Sequence, residues 1–348
     1  MEPLSCHNVL EFGADRHGKE DASGAIQAAL IAAMKGPCRN VYLPDGPYRI
    51  DTGLHIDTGS SHDTWNIHVF SDGGATLMAA AGVTVFTVVG CKPADYDKAK
   101  PRRVHFQRLH LIQAANTTPI ANTNVEVGFD LGAPECRLDD VDVSEFRGAG
   151  VRLRGAELTS LHRCRLWHNR VNVEDLGGSP ASELVGCRLI YAQCFGEECP
   201  TRGTGLVWNS RGLTVLGGAI EQNMNQEAIV GNELDSIARF YGVHFEHKPE
   251  YGSKLPMVSC GKEQAGGNVQ VAFDRCAFFG NKTDRAAIAL QPGVKSCEVV
   301  GTWFENFRQE KAPIKVFTEP CNYYEHGLVV LPTRQDAGTD DAVGSTHV

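Results

Sequence analysis

The chain has 348 residues, 42% hydrophobic and 22% charged, an ordinary balance for a globular protein with a sizeable core. Its net charge of -9 excludes a broad basic face for nucleic acid. The longest apolar run, "AAGVTVFTVVG" at 80–90, is too short to span a bilayer, so no membrane insertion is expected.

The opening "MEPLSCHNVLEFG" lacks a basic start followed by an apolar stretch, so no signal peptide and synthesis in the cytosol are expected. Residues 1–50 read as an N-terminal module. A turn-rich loop carries Gly13 and Gly18, and Asp21 or Ser23 can cap the helix "GAIQAALIAAM". "VYLPDGPYRI" then gives strand, turn, strand. The helix is apolar nearly all round, which suits a cap over the exposed end of a larger β-structure.

Residues 51–331 are strand-rich and repetitive. Short pieces recur at a small residue: "VDVSEF" from Val141, "CRLWHN" from Cys164, "CRLIYA" from Cys187, "GGAIEQ" from Gly217, "GVHFEH" from Gly242, "CAFFGN" from Cys276 and "GTWFEN" from Gly301. The steps of 23, 23, 30, 25, 34 and 25 residues are those of a solenoid with insertions. No unit can bury its own apolar face, so neighbours must stack. The units contain strands and no helix-length segment, which predicts a β-helix. The tail 332–348 is polar and small and reads as flexible. The twelve cysteines show no zinc spacing, including "CFGEEC" at 194–199, and are expected to be reduced and mostly buried.

The N-terminal module resembles the opening signature of the pectate-lyase-like superfamily of right-handed parallel β-helices. The matching residues are Phe12-Gly13-Ala14, Gly18, Asp21, Ala25-Ile26-Gln27-x-Ala29 and Val41-x-x-Pro44-x-Gly46-x-Tyr48. His17 and Ala22 depart from it. The resemblance implies an all-β, single-stranded right-handed parallel β-helix with an N-terminal capping helix. In texture the chain is similar to phage tailspike and depolymerase proteins. That implies a polysaccharide partner, no cofactor, a homotrimer and a virion component. Polygalacturonase and Ca²⁺-dependent pectate lyase motifs are missing, which leaves a glycan hydrolase or lyase, a non-catalytic receptor-binding spike, or a cellular polysaccharide lyase, hydrolase or epimerase.

Period-two alternation predicts which repeat residues face outward. With Ile220, Phe245, Phe279 and Phe304 inward, one outward column holds Glu221, Glu246, Gly280 and Glu305. The column before it holds Ala219, His244, Phe278 and Trp303. Glu221, Glu246 and Glu305 are therefore the candidate catalytic carboxylates, with Gly280 opening a notch between them. Trp303, Phe278, His244 and His168 are the candidate sugar contacts, and no metal ligand is assigned. Neighbouring carboxylates suit glycoside hydrolysis, and aromatic faces suit sugar rings. A solvated ladder and a subunit interface remain open beside this reading. Leu166 and Leu189 would face out in the same register, so a one-residue shift is expected in the early coils. Asp139-Asp140, Asp142 and Glu174-Asp175 read as turns or surface.

Overall fold

The computed structural model describes residues 6–58, 65–90, 102–113, 126–193, 203–231, 235–248, 255–261, 268–283 and 285–307, with short strands at 314–316, 322–326 and 329–331. The tail 332–348 and "CFGEEC" lie outside the described residues. The chain is a parallel β-helix: each strand pairs in parallel with its equivalent one coil on.

Each coil has three faces. The first carries Cys136–Asp139, Ser160–His162, Glu183–Val185 and Leu213–Leu216. The second carries Arg165–Trp167, Arg188–Ile190, Ala219–Glu221, His244–Glu246, Ala277–Thr283 and Trp303–Phe307. The third is a ten-stranded sheet that includes Ala149–Leu153, Val171–Asp175, Thr204–Trp208 and Gln226–Val230. The long strands Trp65–Ala79 and Arg102–Gln113 run round the first corner and join the first two faces.

The motif residues of the N-terminal module have specific structural work. The helix Ser23–Lys35 buries Ile26, Ala29, Leu30 and Ala33 over the first coil. Asp21 accepts the Ser23 N–H, tying down its first turn. Gln27 accepts the His55 N–H at 2.7 Å and donates to the His55 carbonyl at 2.9 Å, so it stands in for a missing strand at the edge of Leu54–Asp57. Gly46 has φ 141°, and a Cβ there would lie 2.5 Å from the Arg16 carbonyl oxygen. The buried Tyr48 hydroxyl donates to the Pro44 carbonyl at 2.6 Å.

Between the first and second faces the chain turns on left-handed residues: Arg108 (φ 54°), Asp140 (53°), Arg163 (53°), Gly186 (62°), Gly217 (60°) followed by Gly218 (81°), Gly242 (62°), Arg275 (52°) and Gly301 (53°). Cys164, Cys187 and Cys276 come one position later, and their thiols donate to the carbonyls of Leu138, Leu161 and Phe240 on neighbouring coils. Six of the eight free cysteines among the described residues are buried.

This column corrects the expected register. The small residues of the sequence repeat mix two adjacent positions, glycine on the corner residue and cysteine just after it. "CAFFG" therefore shifts by one against its neighbours. Phe278, expected outside, pairs with Phe245 and Phe304 and is fully buried. The rings stack at 4.5 and 5.0 Å between centroids. Phe279, expected inside, takes the outward position, and Gly280 is not in that column. The shift expected in the early coils is present: Leu166 and Leu189 are buried in line with Ile220.

The corner between the second and third faces is closed inside by an asparagine network. Asn169 donates to the Val143 carbonyl and to Asn172 Oδ1, Asn172 donates to Asn223 Oδ1, and Asn223 donates to the Leu189 carbonyl. Gly205 leaves room for it: a Cβ there would lie 2.7 Å from Asn223 Nδ2, Ile220 Cγ2 and the Glu227 carbonyl oxygen. Gly205→Ala is expected to cost about 1–3 kcal/mol by overpacking, read from a urea unfolding curve.

Candidate functional site

On the second face one outward column runs Arg165, Arg188, Ala219, His244, Ala277, Trp303. The next runs Trp167, Ile190, Glu221, Glu246, Phe279, Glu305. Glu221 and Glu246 are thus direct cross-strand partners, as the sequence pattern requires. His244 stands between their carboxylates, with Nε2 3.7 Å from Glu221 Oε2 and 3.2 Å from Glu246 Oε2. Arg188 Nη2 donates to Glu221 Oε1 at 3.0 Å, and Asn281 Nδ2 donates to Glu246 Oε1 at 3.1 Å.

The Phe279 ring, half-buried, stacks on His244 at 4.7 Å. It occupies the rung where Gly280 was expected, so the column has an aromatic step in place of a notch. Glu305 lies beyond it, two rungs from Glu246 or roughly 9.5 Å at ordinary strand spacing. Trp303 is 43% exposed and sits beside Ala277 on the neighbouring column. His168 is not in either column. It is a left-handed corner residue (φ 54°), with Nδ1 3.0 Å from Glu145 Oε1 and its ring between Trp167 and Tyr191. The structure therefore brings together Glu221, His244 and Glu246, places Trp303 and Glu305 nearby, sets His168 apart, and removes Phe278 to the core.

Behind Glu246 lies a buried ionisable trio that the sequence did not reveal. Glu227 and His247 point inward from adjacent corners, with Glu227 Oε1 3.7 Å from His247 Nδ1, and Arg285 donates to the His247 ring and to the carbonyls of Asn225 and Pro256. Burial pushes the Glu227 carboxyl up to about 8, with Arg285 pulling the other way. Burial, then Arg285, pushes His247 down to about 3. Unfolding takes up a proton at His247 between pH 3 and its ordinary 6.5, so stability rises with pH there. Unfolding releases a proton from Glu227 between its ordinary 4.5 and 8, so stability falls with pH there. The two effects cancel from pH 4.5 to 6.5. Above 6.5 the protein is expected to lose roughly 2 kcal/mol by pH 8, read as a falling urea midpoint that Glu227→Gln abolishes.

A second cluster, also not foreseen, lies on the first face. A groove of about 550 Å³ is lined by His68, Arg103, His105, Glu135, Arg137 and Ser160, among others. Asp139 is its organising group. It lies 2.6 Å from His105 Nε2, accepts from Arg137 Nε at 2.6 Å, and lies 3.4 Å from His162 Nδ1. Burial alone would raise the Asp139 carboxyl, and the hydrogen bonds from Arg137 and His105 overcome it and hold it low. The His105 ring stacks on His68 at 4.5 Å, and burial lowers both imidazoles. Asp139 had read as a turn residue; it ends a strand, and only Asp140 turns. The available signal was the coil-spaced match of "NIHVF" to "RVHFQ", which puts His68 opposite His105.

Residues 6–100 match the family model described as rhamnogalacturonase A/epimerase, pectate lyase-like. A stretch of 73 residues is 40% identical to alginate lyase 7 of Azotobacter vinelandii, covering 21% of this chain and 8% of that protein. The fold is similar to ORF18 of Geobacillus virus E2, with a TM-score of 0.59 and 16% identity over 94% of this chain and 62% of that one. It is also similar to the tailspike protein of Acinetobacter baumannii phage AM24, with a TM-score of 0.56 and 14% identity over 94% of this chain and 54% of that one. The resemblance to pectate-lyase-like β-helices and phage tailspikes thus holds at the level of fold. The matched stretch spans less than a tenth of the alginate lyase's length. No helix among the described residues is long and apolar enough to cross a membrane.

Proposed function

We propose that the protein recognises a polysaccharide along its second face and cleaves it there, in the manner of a tailspike depolymerase. The observation that carries this is the in-register pair Glu221 and Glu246 beside Phe279 and Trp303. Sugar rings stack on exposed aromatic faces and hydrogen-bond at their edges. Glu221 and Glu246, one rung apart, suit the close spacing of a retaining pair, and Glu246 and Glu305, two rungs apart across Phe279, lie at the upper end of the inverting range. The similarity to a tailspike and to an alginate lyase supports a glycan as partner. A virion component and a homotrimer belong to the same reading; a monomeric mass by light scattering at micromolar concentration rejects the trimer.

A second reading rests on the first-face groove. His105 held by Asp139 next to Arg137 is a base beside a cation, suited to removing a proton next to a sugar carboxylate. Incubation with bacterial capsules, lipopolysaccharide O-chains and plant glycans, followed by product mass spectrometry, separates the two. Products heavier than the repeat by one water mark hydrolysis. Products lacking that water and absorbing in the ultraviolet mark elimination. Bound but intact glycan makes the protein a receptor-binding spike, and no binding rejects the reading.

A further inference from the structure

Two carboxylate oxygens and one imidazole nitrogen converge on the second face. We propose that Glu221, His244 and Glu246 bind one divalent transition-metal ion of the Mn²⁺ or Zn²⁺ class. The inference rests on reading this column as the glycan site and names what the column holds. It departs from the sequence expectation of no metal ligand.

The placement follows from strand geometry. His244 and Glu246 are two residues apart on one strand and therefore share its outer face. Glu221 faces Glu246 directly across one rung. One ligand atom from each of the three residues lies within 4.8 Å of the other two. The remaining oxygens point away and are already occupied: Arg188 takes Glu221 Oε1 and Asn281 takes Glu246 Oε1. Each carboxylate is thereby turned so that its Oε2 faces His244 Nε2. Stacking on Phe279 fixes the imidazole plane.

A neutral His244 can donate its Nε2 proton to one carboxylate and not to both. A cation that accepts a lone pair from each atom satisfies all three. Mixed imidazole and carboxylate donors favour borderline first-row ions over Ca²⁺ and Mg²⁺, which take oxygen alone. The three side chains are 15–37% exposed, so an ion can reach them from solvent. Sugar hydroxyls on the Phe279 and Trp303 side would complete its shell. With the ion in place, Glu221 and Glu246 act as its ligands instead of as a retaining pair, and Glu305 is the carboxylate of the column left to move a proton.

The test uses the full chain, stripped with EDTA and desalted, with Mn²⁺ as probe because it avoids the half-exposed thiols of Cys6 and Cys38. Isothermal titration and Mn²⁺ electron paramagnetic resonance are expected to show one ion per chain. Asn281→Ala is expected to weaken binding by roughly 10–100-fold as an outer-shell change, and His244→Ala by more. Circular dichroism of each metal-free variant checks that the fold is intact, and Glu221→Gln serves if His244→Ala is not folded. No Mn²⁺ uptake, or uptake undiminished in both His244→Ala and Glu221→Gln, overturns the proposal. Glycan cleavage that persists in EDTA without Mn²⁺ uptake overturns the ion and leaves the glycan reading standing. Mn²⁺ uptake by a protein that leaves every glycan intact supports the ion while the cleavage reading fails on its own assay.

Discussion

Phe278→Ala is expected to lower the unfolding free energy by about 3–5 kcal/mol, the range for truncating a fully buried aromatic side chain. The adjacent Phe279→Ala should cost far less. Phe278 is fully buried between the parallel rings of Phe245 and Phe304, so its removal empties a cavity that stacked coils cannot collapse to fill. Phe279 is half-buried and contacts His244. Its loss should show in glycan affinity, by up to about tenfold for a stacking contact of ordinary strength. Urea midpoints of the two variants decide the register. If Phe279→Ala were the more damaging one, the inward column would run through Phe279 and the site would need rebuilding.

Glu246→Gln is expected to reduce kcat for glycan cleavage by about 10²–10⁴-fold with little change in KM, the scale for losing a group that moves a proton or holds the reacting centre. The change keeps size and the capacity to accept from Asn281. Glu246 is shared by both possible carboxylate pairs, so its loss should be felt under either stereochemistry. The companions separate them. With a retaining pair, Glu221→Gln falls equally far and Glu305→Gln is mild; with an inverting pair the order reverses. The anomer of the first product, followed by nuclear magnetic resonance, checks the assignment independently. An active Glu246→Gln protein would move the chemistry to the groove organised by Asp139, where His105→Gln becomes the deciding variant.

The fold was legible because solenoid physics repeats itself. Coils that cannot bury their own faces must present a corner and an inward apolar residue at each pass. The N-terminal module was legible because its motif residues have local work: Gln27 closes a strand edge, Gly46 clears Arg16, and Tyr48 ties Pro44. The columns were harder. Glycine and cysteine both suit a tight corner, yet they sit at adjacent positions, one for its left-handed backbone and one for its thiol donor. Treating them as equivalent moved Phe278 and Phe279 by one place and left the outward positions of Glu221, Glu246 and Glu305 unchanged. The buried trio and the first-face groove were not legible. Glu227, His247 and Arg285 are scattered along the chain and meet only across a corner between faces. His105, Arg137 and Asp139 meet across coils of irregular length.

The junction between the coils of Glu221 and Glu246 also bears on how such a chain can change over generations. Coils touch their neighbours and little else, so a whole coil gained or lost elsewhere shifts the rest of the stack as a block. One gained between residues 221 and 244 would part the two glutamates by a further rung and end their partnership. The length of the edge that meets a polymer and the chemistry held at one junction are therefore heritable separately. A lineage can lengthen its grip on a new glycan without reinventing the site.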